Sequence, residues 1–515
     1  MRSLIALRTD RIDGGRLAEQ RSPKPRDFTE RDRTDWLTTT THRLQGAEMR
    51  IFSDRKRCAG VRGRGFLALS VAIFAGGLII ASPYHARAQD AAMAGGQAYA
   101  GKITYWFWGE SDIPGIDKWM SSMVSAYEKL HPGVTLNLVP QASDTLIGAF
   151  RLAAQSRSGP DIDTQWATLP TLTPYWDKAA VAISDYVPAS ETSQWLETSE
   201  NAEGGKIVAM PIYLIGVPLV WNKQLFKEAG LDPNTPPKTW DAFLADCAAL
   251  KAHGITPFGM GNKDGYFGAW MFAIYLTQEL NSLDEIKAAI GNIGGFSMEQ
   301  LDGLLSNLYA MMQTLVQKGY LNSDVASLDL NQGWQLFPQR KAAMAFTTDG
   351  NVLTWGKALG EENIGVAEPP KWGHGKLADS YDVTQSSDEF ITSWAPNKAA
   401  AAAFLVWLHD PANMKALYAE TGAFPADKRF PVASITDPLA QQLYQLDTAK
   451  TSIWLENYLP PQVDNDADLP AGQLITSKSG TPDQAVEIWN RVIQKWRVQQ
   501  IPEYQQYRKW AGGNG

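Results

Sequence analysis

From Lys102 to Trp108 the chain reads KITYWFW, a run of β-branched and aromatic residues that predicts a strand. Ile116, Met120, Met123, Tyr127 and Leu130 then recur at helical spacing, and His131-Pro132-Gly133 stops the pattern. Val134, Leu136 and Leu138 alternate, marking a second strand. Strand, helix and strand in close succession form a βαβ unit, which implies an α/β domain with parallel strands. A second helix is expected at about Thr145–Ser156, then the turn Gly159-Pro160-Asp161 and a short strand over Ile162–Trp166.

Beyond Ala209 the pattern turns to helices separated by loops. Thr239 opens a helix whose apolar face carries Phe243, Cys247 and Leu250. Ser297-Met298-Glu299-Gln300 has the spacing of a capping box, and Leu301, Leu304, Leu305, Leu308, Met312 and Leu315 continue its apolar face. Lys341–Phe346 reads as a short buried strand. Lys398–Leu408 and Pro411–Glu420 read as helices, closed by Gly422. Thr481-Pro482-Asp483-Gln484 combines a cap, a proline at the first helical position and a glutamine three residues after the cap. Trp489, Val492 and Trp496 stripe that last helix. No internal repeat interrupts this order, and a chain this long is expected to divide into two lobes.

Residues Phe66–Ala81 form an uncharged apolar run, preceded by Arg55, Lys56, Arg57, Arg62 and Arg64 and followed by Ala86-Arg87-Ala88. A basic flank, a short apolar core and an Ala-x-Ala site predict a secretory signal peptide cleaved after Ala88. A membrane anchor would need about 20 apolar residues. Because Met49 opens a complete signal peptide, residues 49–88 are assigned to it and residues 1–48 to an extension outside the translated protein. Cys58 precedes the apolar core, so Cys247 is the lone thiol expected after cleavage and no internal disulfide can form. Residues 1–88 carry 17 Lys/Arg against 9 Asp/Glu, which leaves the exported chain with a net charge of −16. Such an acidic surface excludes nucleic acid as a partner.

Cleavage would leave 18 of the 19 tryptophans. Trp106, Trp108, Trp166, Trp270, Trp355 and Trp394 sit near strand ends or in loops. Trp119, Trp240, Trp407, Trp489 and Trp496 lie on helices, where packing explains them. Sugars present apolar C–H faces that stack on rings and hydroxyls that need carboxylates and amides. Three stretches join both features: Trp108-Gly109-Glu110, Asn262-Lys263-Asp264 before Tyr266 and Trp270, and Asp349-Gly350-Asn351 before Trp355. The histidines His131, His253, His374 and His409 are isolated, so neither a metal nor another cofactor is expected. Phosphate-binding loops, nucleophile elbows and zinc-type cysteine spacings are missing from the sequence.

Gly204–Lys227 carries an apolar extended run into Trp221-Asn222-Lys223, and Pro236–Lys251 opens a helix at Thr239-Trp240-Asp241. Taken with Gly159-Pro160-Asp161-Ile162 upstream, this order resembles the family 1 extracellular solute-binding proteins of carbohydrate ABC importers, from about Gly101 onward. The resemblance implies a type II fold of two α/β lobes joined by crossing strands, with residues 99–214 and 390–430 in the first lobe and 215–389 and 431–515 in the second. It implies a non-enzymatic, monomeric periplasmic protein that closes on a mono- or oligosaccharide, or a polyol, and delivers it to a membrane permease. It points to Glu110, Trp166, Asp264, Tyr266, Asp349 and Asn351 as contacts, and more weakly to Gln385, Ser386 and Asp388. The family's frequent Gly-x-Trp is replaced here by Asp349-Gly350-Asn351-Val352, with the next ring at Trp355. The candidate ligand-binding set is Trp108, Glu110, Asp144, Trp166, Tyr213, Asp264, Tyr266, Trp270, Asp349, Asn351, Trp355 and Ser386. A secreted glycoside hydrolase using an Asp/Glu pair such as Glu110 and Asp264 is the alternative. The same fold carrying a polyamine or a metal chelate is a further one.

Overall fold

The alternation and helical stripe at the head of the chain close into a parallel βαβ unit. The computed structural model describes residues 100–109, 113–141, 143–385, 387–449, 451–452 and 454–513, with backbone alone at 143–144, 381–385 and 451–452. The expected leader, residues 49–88, and the segment 1–48 lie outside the described residues. Strand β1 (Gly101–Trp108) and β2 (Val134–Gln141) are parallel, with Ile103 opposite Leu136. Between them the helix Ile116–Leu130 buries Ile116, Trp119, Met120, Met123, Val124 and Tyr127, the face that the spacing predicts except that Leu130, at the last turn, is exposed. β3 (Ile162–Gln165) adds in parallel on the other side of β1. β13 (Asp388–Thr392) returns from far along the chain to pair antiparallel with β3, placing Phe390 opposite Asp163. β4 (Ala180–Val181) completes the order β2-β1-β3-β13-β4, and β7 (Met210–Pro211) also pairs with β13.

The second lobe is built around β9 (Leu219–Asn222), which lies between β10 (Met344–Phe346) and β11 (Ile364–Ala367). Trp221-Asn222-Lys223 has a mechanical explanation here. The buried Asn222 side chain accepts hydrogen bonds from the backbone N–H groups of Gln224 and Leu225, both at 3.0 Å, and so caps the helix Lys223–Glu228. Trp221 lies over Gly365, where an added Cβ would come within 2.0 Å of the indole ring. Thr239 caps Trp240–Ala252, whose buried face holds Phe243, Cys247 and Leu250. Both expected capping boxes are present, at Ser297 and at Thr481. The helices they open, Met298–Lys318 and Pro482–Gln499, meet where Trp489 Nε1 donates to Tyr309 Oη at 2.7 Å.

A third sheet gathers β14 (Phe424–Pro425), β8 (Tyr213–Gly216), β12 (Tyr381–Gln385) and β15 (Thr451–Ser452), segments drawn from distant parts of the chain. The architecture is therefore the two-lobed, type II α/β fold, with several crossing strands. Contacts outside these strands also join distant segments of the chain. Tyr458 Oη donates to Glu200 at 2.9 Å, and the Trp176 and Trp510 rings lie 6.2 Å apart. Among the described residues no helix is long and apolar enough to cross a membrane.

Candidate functional site

Parallel α/β sheets present their functional loops at the carboxyl ends of the strands. In the first lobe those ends deliver Trp108 and Trp166, which meet edge to face with centroids 4.2 Å apart and planes at 61°. Trp108 is 2% exposed, while Trp166 is only half-buried, so Trp166 supplies the accessible ring and Trp108 backs it. Behind this pair the sheet is unusually polar. Gln165 Nε2 donates to Asp163 at 2.8 Å. Glu389 accepts from Ser387 Oγ at 2.6 Å and Tyr105 Oη at 2.9 Å, and burial pushes it up to about 8 despite those bonds.

In the second lobe the loop ahead of the helix Tyr266–Met271 is pinned by Asn262. Its Oδ1 accepts from Gly268 N–H at 3.0 Å and its Nδ2 donates to Thr476 Oγ1 at 2.9 Å. Asp264 accepts from Leu330 N–H at 3.0 Å; partial burial raises its pKa, against the backbone N–H groups that favour its charged form. Trp270 meets Trp334 at 5.3 Å and Trp454 at 5.7 Å, an aromatic cluster drawn from three separate segments. The indole N–H groups of Trp334 and Trp454 are spent internally, on the Phe346 carbonyl and on Glu456, both at 2.9 Å. Both rings are buried, so they back the half-buried Trp270, which carries the accessible face. The helix that carries this loop crosses Leu469–Thr476 glycine to glycine, and a Cβ on Gly268 would fall 2.7 Å from the Gly472 Cα.

The remaining candidates are placed differently. Asp349 is 3% exposed and opens the helix Asp349–Leu359, where its carboxylate accepts from Gly216 N–H of β8 at 2.7 Å. Asp447 faces it from the helix Pro438–Ala449, and burial raises both carboxyls. Asp349 is thus tied to a crossing strand. Trp355, which the sequence offers as a stacking ring, is 4% exposed and stacks on Phe337 at 4.9 Å inside the core. Its ring is occupied because the helix turns it inward. Tyr213 is buried in β8, opposite Pro425. Asn351 is half-buried and donates to Thr347 Oγ1 at 3.1 Å. Asp388 is fully buried at the start of β13, where burial and the neighbouring Glu389 raise its pKa. Glu110 and Ser386 lie outside the described residues, as do the side chains of Asp144 and Gln385. Trp394, on the periphery of the first-lobe core, stacks on Phe150 at 6.0 Å.

Sequence reasoning passed over Trp334, Trp454 and Asp447. Trp454 sits on no helical stripe, which was the one signal that separated loop rings from packing rings. Asp447 lies mid-helix and gains meaning only from a partner a hundred residues away. Among the described residues no group of three or more His, Cys, Asp or Glu is placed to hold a metal. His409 is buried and pairs with Asp427 at 3.0 Å, and Asp427 in turn binds Arg429 at 2.6 Å.

The profile of the family described as bacterial extracellular solute-binding protein matches residues 110–415. An sn-glycerol-3-phosphate-binding periplasmic protein of Shigella flexneri serotype 5b is 26% identical over 237 residues, which is 44% of this chain and 51% of that one. The chain thus spans about half the length of the curated relatives it first matches. Among solved structures, a chitin oligosaccharide binding protein superposes with a TM-score of 0.68 at 19% identity, covering 77% of this chain and 98% of the other. A solute-binding protein from Thermotoga lettingae, bound with α-D-tagatose, gives 0.62 at 17% identity, covering 77% and 99%. At these identities the structural likeness establishes the fold.

Proposed function

The chain belongs to the bacterial extracellular solute-binding proteins, and we propose that it captures a carbohydrate between its lobes and hands it, unreacted, to an ABC permease. The lobes are taken as residues 99–214 with 390–430, and 215–389 with 431–515. The ligand is held on one side by Trp166, backed by Trp108, and on the other by Tyr266, Trp270 and Asp264. Glu110, Asp144 and Ser386 complete the set from sequence. The observation that carries this reading is a pair of ring assemblies, one at the end of each lobe's polar scaffold, each with a half-buried tryptophan and carboxylates nearby. Rings cover apolar C–H faces, while sugar hydroxyls need acceptors because an unpaired buried hydroxyl is unfavourable. Contacts from both lobes favour the closed population, so binding and hinge closure are one event.

A neutral sugar fits better than a phosphoester such as the ligand of the Shigella relative. None of the twelve candidate side chains is basic, and a phosphate calls for arginine, lysine or a helix N-terminus. The glycoside hydrolase alternative finds no support among relatives or structural neighbours. A periplasmic, monomeric, non-enzymatic protein follows from the same reading.

A thermal-shift screen with chitotriose, xylotriose, maltotriose and glycerol 3-phosphate tests it, since a ligand that binds only the folded form raises the melting temperature. A trisaccharide should stabilise the protein and glycerol 3-phosphate should not. The reverse result replaces the sugar with a phosphoester. Trp166→Ala should then weaken the trisaccharide by more than about 1 kcal/mol, the scale of an aromatic contact. Calorimetric affinity equal to the parent's would remove Trp166 from the site.

A further inference from the structure

Two residues past Trp166 the backbone adopts a conformation that its residue type resists. Thr168 has φ 68° and ψ −119°, the left-handed side of the map, where a β-branched residue is a genuine outlier. Nothing in its own side chain explains this. Thr168 is fully buried and precedes the helix Leu169–Trp176, yet its hydroxyl neither caps that helix nor finds any hydrogen-bond partner. What holds the turn comes from elsewhere. Asn201, also fully buried, accepts the Thr168 N–H on its Oδ1 at 3.0 Å, and Thr171 Oγ1 lies 2.9 Å from that same oxygen. Asn201 is itself fixed, because its carbonyl accepts from Val208 N–H at 2.7 Å, next to the hairpin of β5 (Ala202–Glu203) and β6 (Lys206–Ile207).

We propose that Asn201 is a positioning residue for the ligand: it clamps Thr168 in its strained conformation and thereby sets the Trp166 ring edge-on against Trp108. The inference rests on Trp166 being a ligand contact, as proposed above. Without the Asn201 acceptor, the Thr168 N–H would be buried and unpaired, and the turn would relax to negative φ. That rotation re-aims the residues between β3 and the helix, and Trp166 lies among them. A stacking ring displaced by even an ångström loses much of its contact.

The strain supplies its own control. Glycine adopts positive φ at no steric cost, and Thr168 has no hydrogen bond through its hydroxyl to lose. Thr168→Gly should therefore make the clamp less necessary. Two tryptophans at 4.2 Å and 61° couple their transitions, so the pair should give an exciton couplet in circular dichroism that reports ring geometry without ligand. The difference spectrum between the parent and Trp166→Ala isolates this couplet from that of the Trp270, Trp334 and Trp454 cluster. The measurements use the full exported chain and the trisaccharide bound in the screen above. Asn201→Ala should diminish the couplet and weaken binding about tenfold. Thr168→Gly should retain both, and the double variant Asn201→Ala/Thr168→Gly, relieved of the strain though its residue 168 N–H still lacks an acceptor, should recover part of both. If Asn201→Ala alone does not fold, the double variant must fold and carry the couplet. An unchanged couplet in Asn201→Ala, or a double variant no better than it, would overturn the clamp. Should Trp166→Ala bind normally, the ligand site fails instead, and the ligand-free couplets still decide the role of Asn201.

Discussion

Replacing Gly268 by valine is expected to destabilise the protein and to weaken ligand binding together. Gly268 and Gly472 sit on crossing helices, and the first Cβ atom would meet backbone, which cannot swing away as a side chain can. Two effects compete for alanine at this position. Alanine is better than glycine inside a helix by about 1 kcal/mol, whereas overpacking a close contact costs about 1–3 kcal/mol. Valine adds two methyl groups to the same contact and forfeits part of the propensity gain, so the steric cost wins clearly. The helices must then separate, carrying Tyr266 and Trp270 with them. Thermal unfolding and calorimetry of Gly268→Val should show a lowered melting temperature and a reduced affinity. A melting temperature equal to the parent's would mean that the crossing is looser than described.

The second large effect is a loss of stability as pH rises from about 4.5 to 8. Burial raises Asp163, Asp388 and Glu389 in the first lobe, Asp349 and Asp447 beside the crossing strands, and Glu456, Asp464 and Asp468 in the second. A carboxyl whose folded pKa exceeds its unfolded one binds more protons when folded. Its contribution is full below the unfolded value and fades as pH climbs to the folded value. Glu389, raised from 4.5 to about 8, carries the window up to that pH. A tenfold change in an acid constant on folding corresponds to about 1.4 kcal/mol, so these groups together should move stability by at least several kcal/mol. Asp427 works oppositely. Burial pushes it up, but Arg429 and His409 outweigh that and hold it below its ordinary range, so its contribution is lost only in acid below that window. The melting temperature should therefore be higher at pH 5.5 than at pH 8. Asp447→Asn should flatten part of the slope by leaving Asp349 without a charged neighbour. A melting temperature that rises between those two pH values would contradict the protonated interior.

Most of the scaffold was legible in the chain. The stripe from Ile116 to Leu130, the caps at Thr239, Ser297 and Thr481 and the strand Lys102–Trp108 all encode local structure in local residues, so spacing recovers them. Sheet order was not, because β13 pairs with β3 across a long stretch of intervening chain that no periodicity reports. For the proposed site, pairing an acid with a nearby ring selected the Asp264–Trp270 loop, and the end of β1 offered Trp108. The same rule also selected Asp349 and Trp355, which the structure buries. Sequence proximity of an acid and a ring does not say which way a helix turns them, and the helix Asp349–Leu359 directs both inward. Asn201 was invisible for the converse reason: its partners Thr168 and Thr171 lie in a different segment of the chain.

On the proposed mechanism one sugar is gripped by both lobes at once. Small-angle scattering of the exported protein, without and with a saturating trisaccharide taken from the thermal screen, addresses it directly. A ligand held by Trp166 on one lobe and by Tyr266 and Trp270 on the other should draw the lobes together and shrink the radius of gyration. A radius unchanged at saturation would mean that a single lobe holds the sugar, and closure would have to be given up.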